Sequence, residues 1–251
     1  MTQQTNSPQP SLVIHELRTP LTAAVGYLEL AQDLARQVLS APAATASSTL
    51  DQLERCLTLD AQELDVATIM LDDLAVASEE HFALRRISCN LSEIVRDVVE
   101  ARSVLMLSRV LHFQAPPVEL PVLGDPRRIK QVLTNYLVNA FKYTPTECPI
   151  TVLVETACPG PQFLRVTVRD EGPGIQLDAQ AHLWEQGYRV PGGTQGREGL
   201  GLGLYICRML IEQQGGTVGV DSSPGHGAAF WLTLPVLSTL SEAPQEPELC
   251  T

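Results

Sequence analysis

Residues 125–145 have the sequence DPRRIKQVLTNYLVNAFKYTP, which predicts a helix that begins at Asp125 and Pro126 and runs through Tyr143. Aspartate is a favourable N-cap residue because its carboxylate accepts hydrogen bonds from the free backbone N–H groups of the first turn. Proline is favourable in that turn because its missing N–H would have no partner there. The apolar residues predicted to bury other parts of the helix are Ile129, Val132, Leu133 and Leu137.

Asn135, Asn139 and Lys142 share one face of this helix, because residues three and four positions apart lie one above the other. Amide oxygens suit a hard cation such as Mg2+, and a lysine ammonium supplies a point charge for phosphate groups. The pattern favours a site for a magnesium–phosphate group. Taken alone, such a polar stripe is also common on a solvated helix face.

Strand and helix patterns alternate on both sides of this helix. Strands are predicted at 110–116, 150–156, 163–170, 217–223 and 228–235, and further helices at 91–102 and 204–214. Interleaved helices and strands favour an α+β sandwich with a mixed sheet.

A carboxylate and two glycines follow the strand at 163–170, in the segment DEGPGI (170–175). Asp170 at a strand end can accept a hydrogen bond from the exocyclic amine of adenine. Gly172 and Gly174 can let the base lie against the backbone. A single pattern of this kind is weak evidence, because many turns resemble it.

Three glycines at alternate positions, Gly199, Gly201 and Gly203, lead into the helix at 204–214. Their backbone N–H groups and the positive N-terminus of the helix can together bind an anion. The arrangement differs from a dinucleotide fingerprint, because no strand runs directly into it. The preceding segment PGGTQG (191–196) is predicted to be a mobile lid.

Residues 11–80 predict a helical hairpin. Apolar residues over 14–38 and again over 50–74 alternate spacings of three and four, which is a heptad pattern interrupted at Asp60. The segment SAPAATASST (40–49) predicts a turn between the two helices. Because such a hairpin cannot cover its own apolar stripe on both sides, we expect a homodimer that forms a four-helix bundle. The alternative is that the stripe packs on the rest of the chain.

The segment HELRTP (15–20) lies on the first of these helices. His15 falls beside the apolar seam, so its imidazole is expected to be exposed and nucleophilic near neutral pH. Glu16 can accept the ring N–H and fix the tautomer. Pro20 removes the hydrogen bond to the Glu16 carbonyl and predicts a kink beyond the histidine. Taken alone, an ordinary surface histidine is the simpler interpretation.

Composition narrows the class of protein. The 251 residues carry 29 acidic against 17 basic side chains, a net charge of −12, so nucleic acid is not an expected partner. No apolar run approaches the ~20 residues that a membrane span requires, and no signal peptide is apparent, so we expect a cytoplasmic protein. The scattered cysteines predict reduced thiols. Residues 1–10 and 237–251 are predicted to be disordered.

As an ordered set, these motifs resemble those of the histidine kinases of two-component systems over about residues 11–236. The matching segments are HELRTPL (15–21) for the H box, NYLVNAFKYTP (135–145) for the N box, DEGPGI (170–175) for the first glycine box and GLGLGLYIC (199–207) for the second. HLWEQGYR (182–189) lies where the family has its F box, with Trp184 in place of the usual phenylalanine.

The resemblance implies a dimerisation and phosphotransfer hairpin at 11–80, then a Bergerat or GHKL-type ATP-binding α/β sandwich at 86–236. It implies an ATP-dependent protein-histidine kinase that autophosphorylates His15 from Mg-ATP. The phosphoryl group would then pass to an aspartate in the receiver domain of a separate response regulator, and Thr19 would serve a possible phosphatase half-reaction. No sensor domain is recognisable, so either a separate sensory protein signals to the chain or the chain is a fragment or a degraded copy.

The resemblance also assigns roles within the site. Glu16 would act as a base or orienting group beside His15. The nucleotide and its metal would meet Asn139 as the Mg2+ ligand, Asn135 and Lys142 at the phosphates, Tyr143 against the adenine, Asp170 at the adenine amine, and Gly172, Gly174, Gly199, Gly201 and Gly203 around the pocket and lid.

Two other functions compete with this one. The chain could be a regulatory or scaffold module that keeps the fold, is catalytically weak and acts through a partner. The presence of all the residues that the kinase reaction needs argues against this alternative. It could also be an ATPase of the gyrase or chaperone type, but that function leaves HELRTP on a heptad helix without an explanation.

Overall fold

The computed structural model describes residues 10–40, 43–78, 83–105, 109–156, 162–190 and 200–237. Within these residues the chain forms a helical hairpin followed by helices packed on a mixed sheet, here called the sandwich (87–235). The predicted order of a helical part followed by an α/β part is therefore confirmed.

The hairpin consists of two helices, α1 (Pro10–Ser40) and α2 (Ala43–Ser78). Ala31 and Leu34 form a small apolar cluster with Leu53 and Cys56, which joins the two helices. Helix α1 continues through Pro20, although the proline cannot donate the backbone hydrogen bond of that turn. None of the described helices is apolar over a length that would cross a membrane.

The ends of the hairpin differ from the prediction. The turn predicted at 40–49 is wrong over most of its length, because α2 already begins at Ala43. Three alanines among residues 43–46 have the highest helix propensity of any residue type and outweigh the serines and threonines beside them. Pro10, predicted to be disordered, is the first residue of α1, where proline is tolerated. Leu237, predicted to begin the disordered tail, is ordered, since its backbone N–H donates a hydrogen bond of 2.9 Å to the Pro121 carbonyl. The rest of the two predicted disordered ends, 1–9 and 238–251, lies outside the described residues.

The sandwich contains, in chain order, β1 (Ile87–Asn90), α3 (Leu91–Leu105), β2 (Leu111–Gln114), β3 (Pro121–Gly124), α4 (Pro126–Tyr143), β4 (Ile150–Thr156), β5 (Phe163–Asp170), α5 (Leu177–Gln180), α6 (Gly203–Glu212), β6 (Thr217–Ser222) and β7 (Ala228–Pro235). The main sheet has the strand order β2-β4-β5-β7-β6, in which only the β2–β4 pair is parallel. Strands β1 and β3 pair separately. These two strands and α5, each of four residues, were not predicted.

Burial along β5 shows which face of the sheet is covered. Leu164, Val166 and Val168 are buried while the residues between them are not, as alternation in a strand with one covered face requires. Apolar residues of α4 belong to the same core. The predicted start of α4 is confirmed, since the Asp125 carboxylate accepts hydrogen bonds from the backbone N–H groups of Arg127 and Arg128.

The end of α2 is packed into the sandwich. Val76 is 1% exposed and belongs to the same apolar cluster as α4 and the main sheet. Farther back on α2, Asp65 forms an ion pair with Arg102 of α3, and both side chains are largely buried. The hairpin therefore has at least two contacts with the sandwich, one apolar and one ionic.

Candidate active site

A cavity of about 890 Å3 lies where the hairpin meets the sandwich. Helix α1 contributes Glu16 and Thr19 to its lining, and α2 contributes Asp73. The sandwich contributes most of the residues that were predicted to bind a nucleotide: Asn135, Asn139, Lys142, Tyr143, Asp170, Gly174, Gly201 and Gly203. Two motifs that are more than 100 residues apart in the sequence thus share one cavity.

The polar face of α4 lines this cavity as its spacing predicted. Asn135 is buried, whereas Asn139 and Lys142 are half-buried. The Lys142 ammonium lies 5.6 Å from the centre of the Tyr143 ring, and that ring is 43% exposed. An aromatic ring that is open to a cavity can stack against a planar ligand.

The end of β5 places a second group in the cavity. Asp170 is buried, and its Oδ1 accepts a hydrogen bond of 2.7 Å from the backbone N–H of Gly172. Burial raises the pKa of the Asp170 carboxyl, and this hydrogen bond partly offsets the rise. Gly174 has a φ of 71°, and a Cβ there would lie 2.0 Å from the carbonyl oxygen of Ser223. The turn after Asp170 therefore has room for glycine alone at this position.

The second glycine motif continues the wall of the cavity. Gly201 has a φ of 67°, and a Cβ there would lie 2.7 Å from the backbone of Gly187. Gly203 begins α6, whose N-cap residue Leu202 makes no side-chain capping bond. The first turn of α6 therefore has no side-chain cap, as an anion-binding helix N-terminus requires. Gly199 and the predicted lid at 191–196 lie outside the described residues.

The segment HELRTP lies at the other side of the cavity. His15 belongs to α1, but its side chain lies outside the described part of the structure. Glu16 is 4% exposed, and its Oε2 has no hydrogen-bond partner among the described residues. A buried carboxylate oxygen without a partner can accept a proton or hydrogen bond from a group that enters the cavity.

Asp73 also lines the cavity and was not predicted as a site residue. This residue is 6% exposed and accepts hydrogen bonds from the side-chain amides of Gln131, at 3.0 Å, and Asn135, at 3.3 Å. Burial raises the pKa of the Asp73 carboxyl to about 6. The hydrogen bonds from Gln131 and Asn135 oppose that rise, and the charge of Asp72 adds to it. No signal in the sequence indicates this contact, since two adjacent aspartates on an amphipathic helix are typical of a solvated face.

Arg109 was also missed. Its guanidinium donates hydrogen bonds to the backbone carbonyls of Thr144, at 2.7 Å, and Pro145, at 3.3 Å. It also lies over the Phe141 ring, 5.7 Å from the ring centre. These contacts hold the end of α4 and the chain that follows it in place at the edge of the cavity.

Comparisons with known proteins agree with this arrangement. Residues 124–238 match the model of the family described as histidine kinase-, DNA gyrase B-, and HSP90-like ATPase. The adaptive-response sensory kinases SasA of Prochlorococcus marinus (strain MIT 9313) and Crocosphaera subtropica are 34% and 35% identical to the chain. Each alignment covers 90% of this chain, and 57% or 58% of the relative. This chain is similar to sensory kinases over most of its length. It spans a little more than half the length of these curated relatives.

Solved structures of histidine kinases are also similar to this chain. Full-length ShkA, crystallised in complex with AMPPNP, is 25% identical with a TM-score of 0.58, over 86% of this chain and 46% of that one. The Acinetobacter baumannii histidine kinase AdeS is 22% identical with a TM-score of 0.55, over 89% of this chain and 98% of that one, and shares the fold. The resemblance to sensor histidine kinases that the motifs indicated is confirmed.

Proposed function

We propose that the chain is the catalytic core of a histidine protein kinase, which takes the γ-phosphoryl group of Mg-ATP onto His15. One observation carries the proposal: Glu16 and Thr19, next to the acceptor, line the same cavity as Asn139 and Asp170. The relatives named as sensory kinases and the AMPPNP complex of ShkA support it.

The nucleotide is proposed to lie along the sandwich side of the cavity. The Asp170 carboxylate would accept from the adenine amine, beside Gly172 and Gly174, and the exposed Tyr143 ring would stack on the base. Lys142 and Asn135 would meet the phosphates. The glycines at 199, 201 and 203 would present backbone N–H groups to the same phosphates.

The residues of the cavity could hold Mg2+ only if a bound nucleotide supplied phosphate oxygens as further metal ligands. Among the described residues, no group of three or more histidine, cysteine, aspartate or glutamate side chains could hold a metal ion. The Asn139 amide oxygen and phosphate oxygens form a donor set that Mg2+ accepts. Bound there, the cation would offset the phosphate charge during transfer.

Phosphoryl transfer would use groups that the hairpin supplies. A nitrogen of the His15 imidazole would attack the γ-phosphorus, and the bond to the β–γ bridging oxygen would break, so that ADP leaves with that oxygen. Glu16, whose buried Oε2 has no partner among the described residues, would take up the proton of the other ring nitrogen. The phosphoryl group would then pass to an aspartate carboxylate in the receiver domain of a separate response regulator.

The hairpin is proposed to dimerise. Each of its helices carries a row of apolar residues that repeats every seven positions and is between 44% and 58% exposed: Ile14, Leu21 and Leu28 on α1, and Leu50, Leu57, Leu64 and Leu71 on α2. Exposed heptad rows on two neighbouring helices are typical of half of a four-helix bundle. A second copy of the chain would cover them. Dephosphorylation of the regulator through Thr19 and signalling by a separate sensory protein stay predictions, as does a cytoplasmic location.

Labelling with γ-labelled ATP and Mg2+ tests the kinase function. We expect an acid-labile, base-stable phosphoprotein in the unmodified chain and none in His15→Gln. His112→Gln, which replaces an exposed histidine on β2, is the matched control and should label normally. Label that persists in His15→Gln would exclude His15 as the acceptor, and normal labelling of Asn139→Ala would exclude the metal assignment. A chain that binds Mg-ATP without labelling would favour the regulatory module.

A further inference from the structure

The Asp73 carboxylate lies in the part of the cavity where the phosphates of ATP are proposed to bind. It reaches from α2 of the hairpin to α4 of the sandwich, where Gln131 and Asn135 donate to it. Its Oδ2 would lie 3.4 Å from a Cβ built on Gly203, the first residue of α6. The same Cβ would lie 3.4 Å from the Asn135 Oδ1, so the carboxylate, the amide and the start of α6 converge at one point.

The groups around this carboxylate are those that bind a phosphate oxygen. A side-chain amide and the uncapped N-terminus of a ten-residue helix both favour an anion. No lysine, arginine or histidine forms an ion pair with Asp73 among the described residues, so these neutral donors are its recorded partners. Burial raises the pKa of Asp73, and the charge of the exposed neighbour Asp72 raises it further. Burial also raises the pKa of the Cys207 thiol, and the charge of Asp73 in turn adds to that rise.

Packing on both sides holds Asp73 in this position. Val76, one turn farther along α2, is in the core of the sandwich, and Asp65, two turns before, pairs with Arg102. A carboxylate anchored in this way loses little conformational freedom when it binds its donors. It is also nearly out of contact with water, which strengthens each hydrogen bond it accepts.

We infer that Asp73 is an internal ligand of the nucleotide site, which competes with the phosphates of ATP for Asn135 and so ties the hairpin to the sandwich until nucleotide binds. The inference rests on the proposed function, because it needs ATP phosphates at Asn135. Two anions cannot share the amide and the start of α6 without strong repulsion. Nucleotide binding therefore displaces the carboxylate and releases this contact between the two parts of the chain.

Equilibrium binding of Mg-ATP to the full chain tests the competition. Asp73→Ala should bind Mg-ATP about tenfold more tightly than the unmodified chain, because hydrogen bonds to a charged group no longer have to be broken. Asp72→Ala, which removes the exposed neighbouring carboxylate, is the matched control and should change the affinity less than twofold. Unchanged or weaker binding by Asp73→Ala would overturn the inference, and weaker binding would point to Asp73 as a ligand of the metal.

Hydrogen exchange without nucleotide separates this inference from the proposed function. Asp73→Ala and the isosteric Asp73→Asn should speed exchange of the backbone amides over 70–76 and 203–207 relative to Asp72→Ala. Exchange that is the same in all three variants would show that the contact holds nothing and would overturn the inference. If the two Asp73 variants exchange faster but neither they nor the unmodified chain binds Mg-ATP, the result would support the Asp73 contact and reject the kinase function.

Discussion

At the wall of the cavity, the turn at Gly174 brings two backbone segments so close that a single added carbon atom would collide. At Gly174 the positive φ and the carbonyl of Ser223 both exclude a side chain, and the carboxylate of Asp170 depends on this same turn through its bond from Gly172. Gly225 also has a positive φ, of 80°, yet a Cβ there would meet nothing within 4 Å. Substitutions at these two glycines can therefore distinguish the cost of backbone strain from the cost of a steric collision.

Gly174→Ala should lower the free energy of unfolding by more than about 3 kcal/mol, because the strain of a positive φ and a collision with backbone add. Gly225→Ala should cost about 1 kcal/mol, since only the strain applies. Urea unfolding of both variants measures the difference. Equal losses at the two positions would mean that the close approach to Ser223 relaxes without cost.

At the scale of the element, the hairpin illustrates how a helix pair divides its apolar residues. Ala24, Ala31 and Ala67 are buried within the described chain, whereas the leucines one heptad apart on α2 remain exposed. The buried alanines let the two helices approach closely, and the exposed leucines offer apolar area to a partner. The single apolar stripe of the sequence therefore forms two rows in the fold. The inner row is buried within one copy of the chain, and the outer row stays exposed.

Leu57→Asp should weaken the proposed dimer by roughly 100-fold or more, because each dimer would bury the charged side chain twice in an apolar seam. Leu59→Asp is the matched control. Leu59 is 40% exposed but lies off the heptad row, so its replacement should leave the dimer unchanged. Sedimentation equilibrium measures both association constants. An equal effect of the two variants would place the interface elsewhere on the hairpin.

At the scale of the whole molecule, the contacts between the hairpin and the sandwich differ in how easily they can be released. The Val76 contact is apolar and part of a continuous core. The Asp65–Arg102 pair is largely buried, so loss of one partner leaves a charge without compensation. The Asp73 contact alone uses groups that a ligand of the cavity could replace. It is therefore the contact best placed to respond to nucleotide.

Arg102→Ala should lower the free energy of unfolding by about 3 kcal/mol, because it strands the Asp65 carboxylate in a buried position. Arg36→Ala is the control. Arg36 pairs with Asp33 on the surface of α1, where both side chains are mostly exposed, so the cost should stay below about 1 kcal/mol. Urea unfolding followed by circular dichroism gives both values. Similar losses would show that the Arg102 pair is effectively solvated.

Features that depend on neighbours along the chain could be predicted before the structure. The Asp125 cap, the shared face of Asn135 and Asn139 and the strand that ends at Asp170 follow from caps and from periods of 3.6 and 2, which are local properties. Two features became visible only in the folded chain: the contact of Asp73 with Asn135, 62 positions away, and the division of the apolar stripe of the hairpin into an inner and an outer row. Such contacts depend on how whole helices pack, and a single sequence carries no periodic signal for a meeting between distant elements.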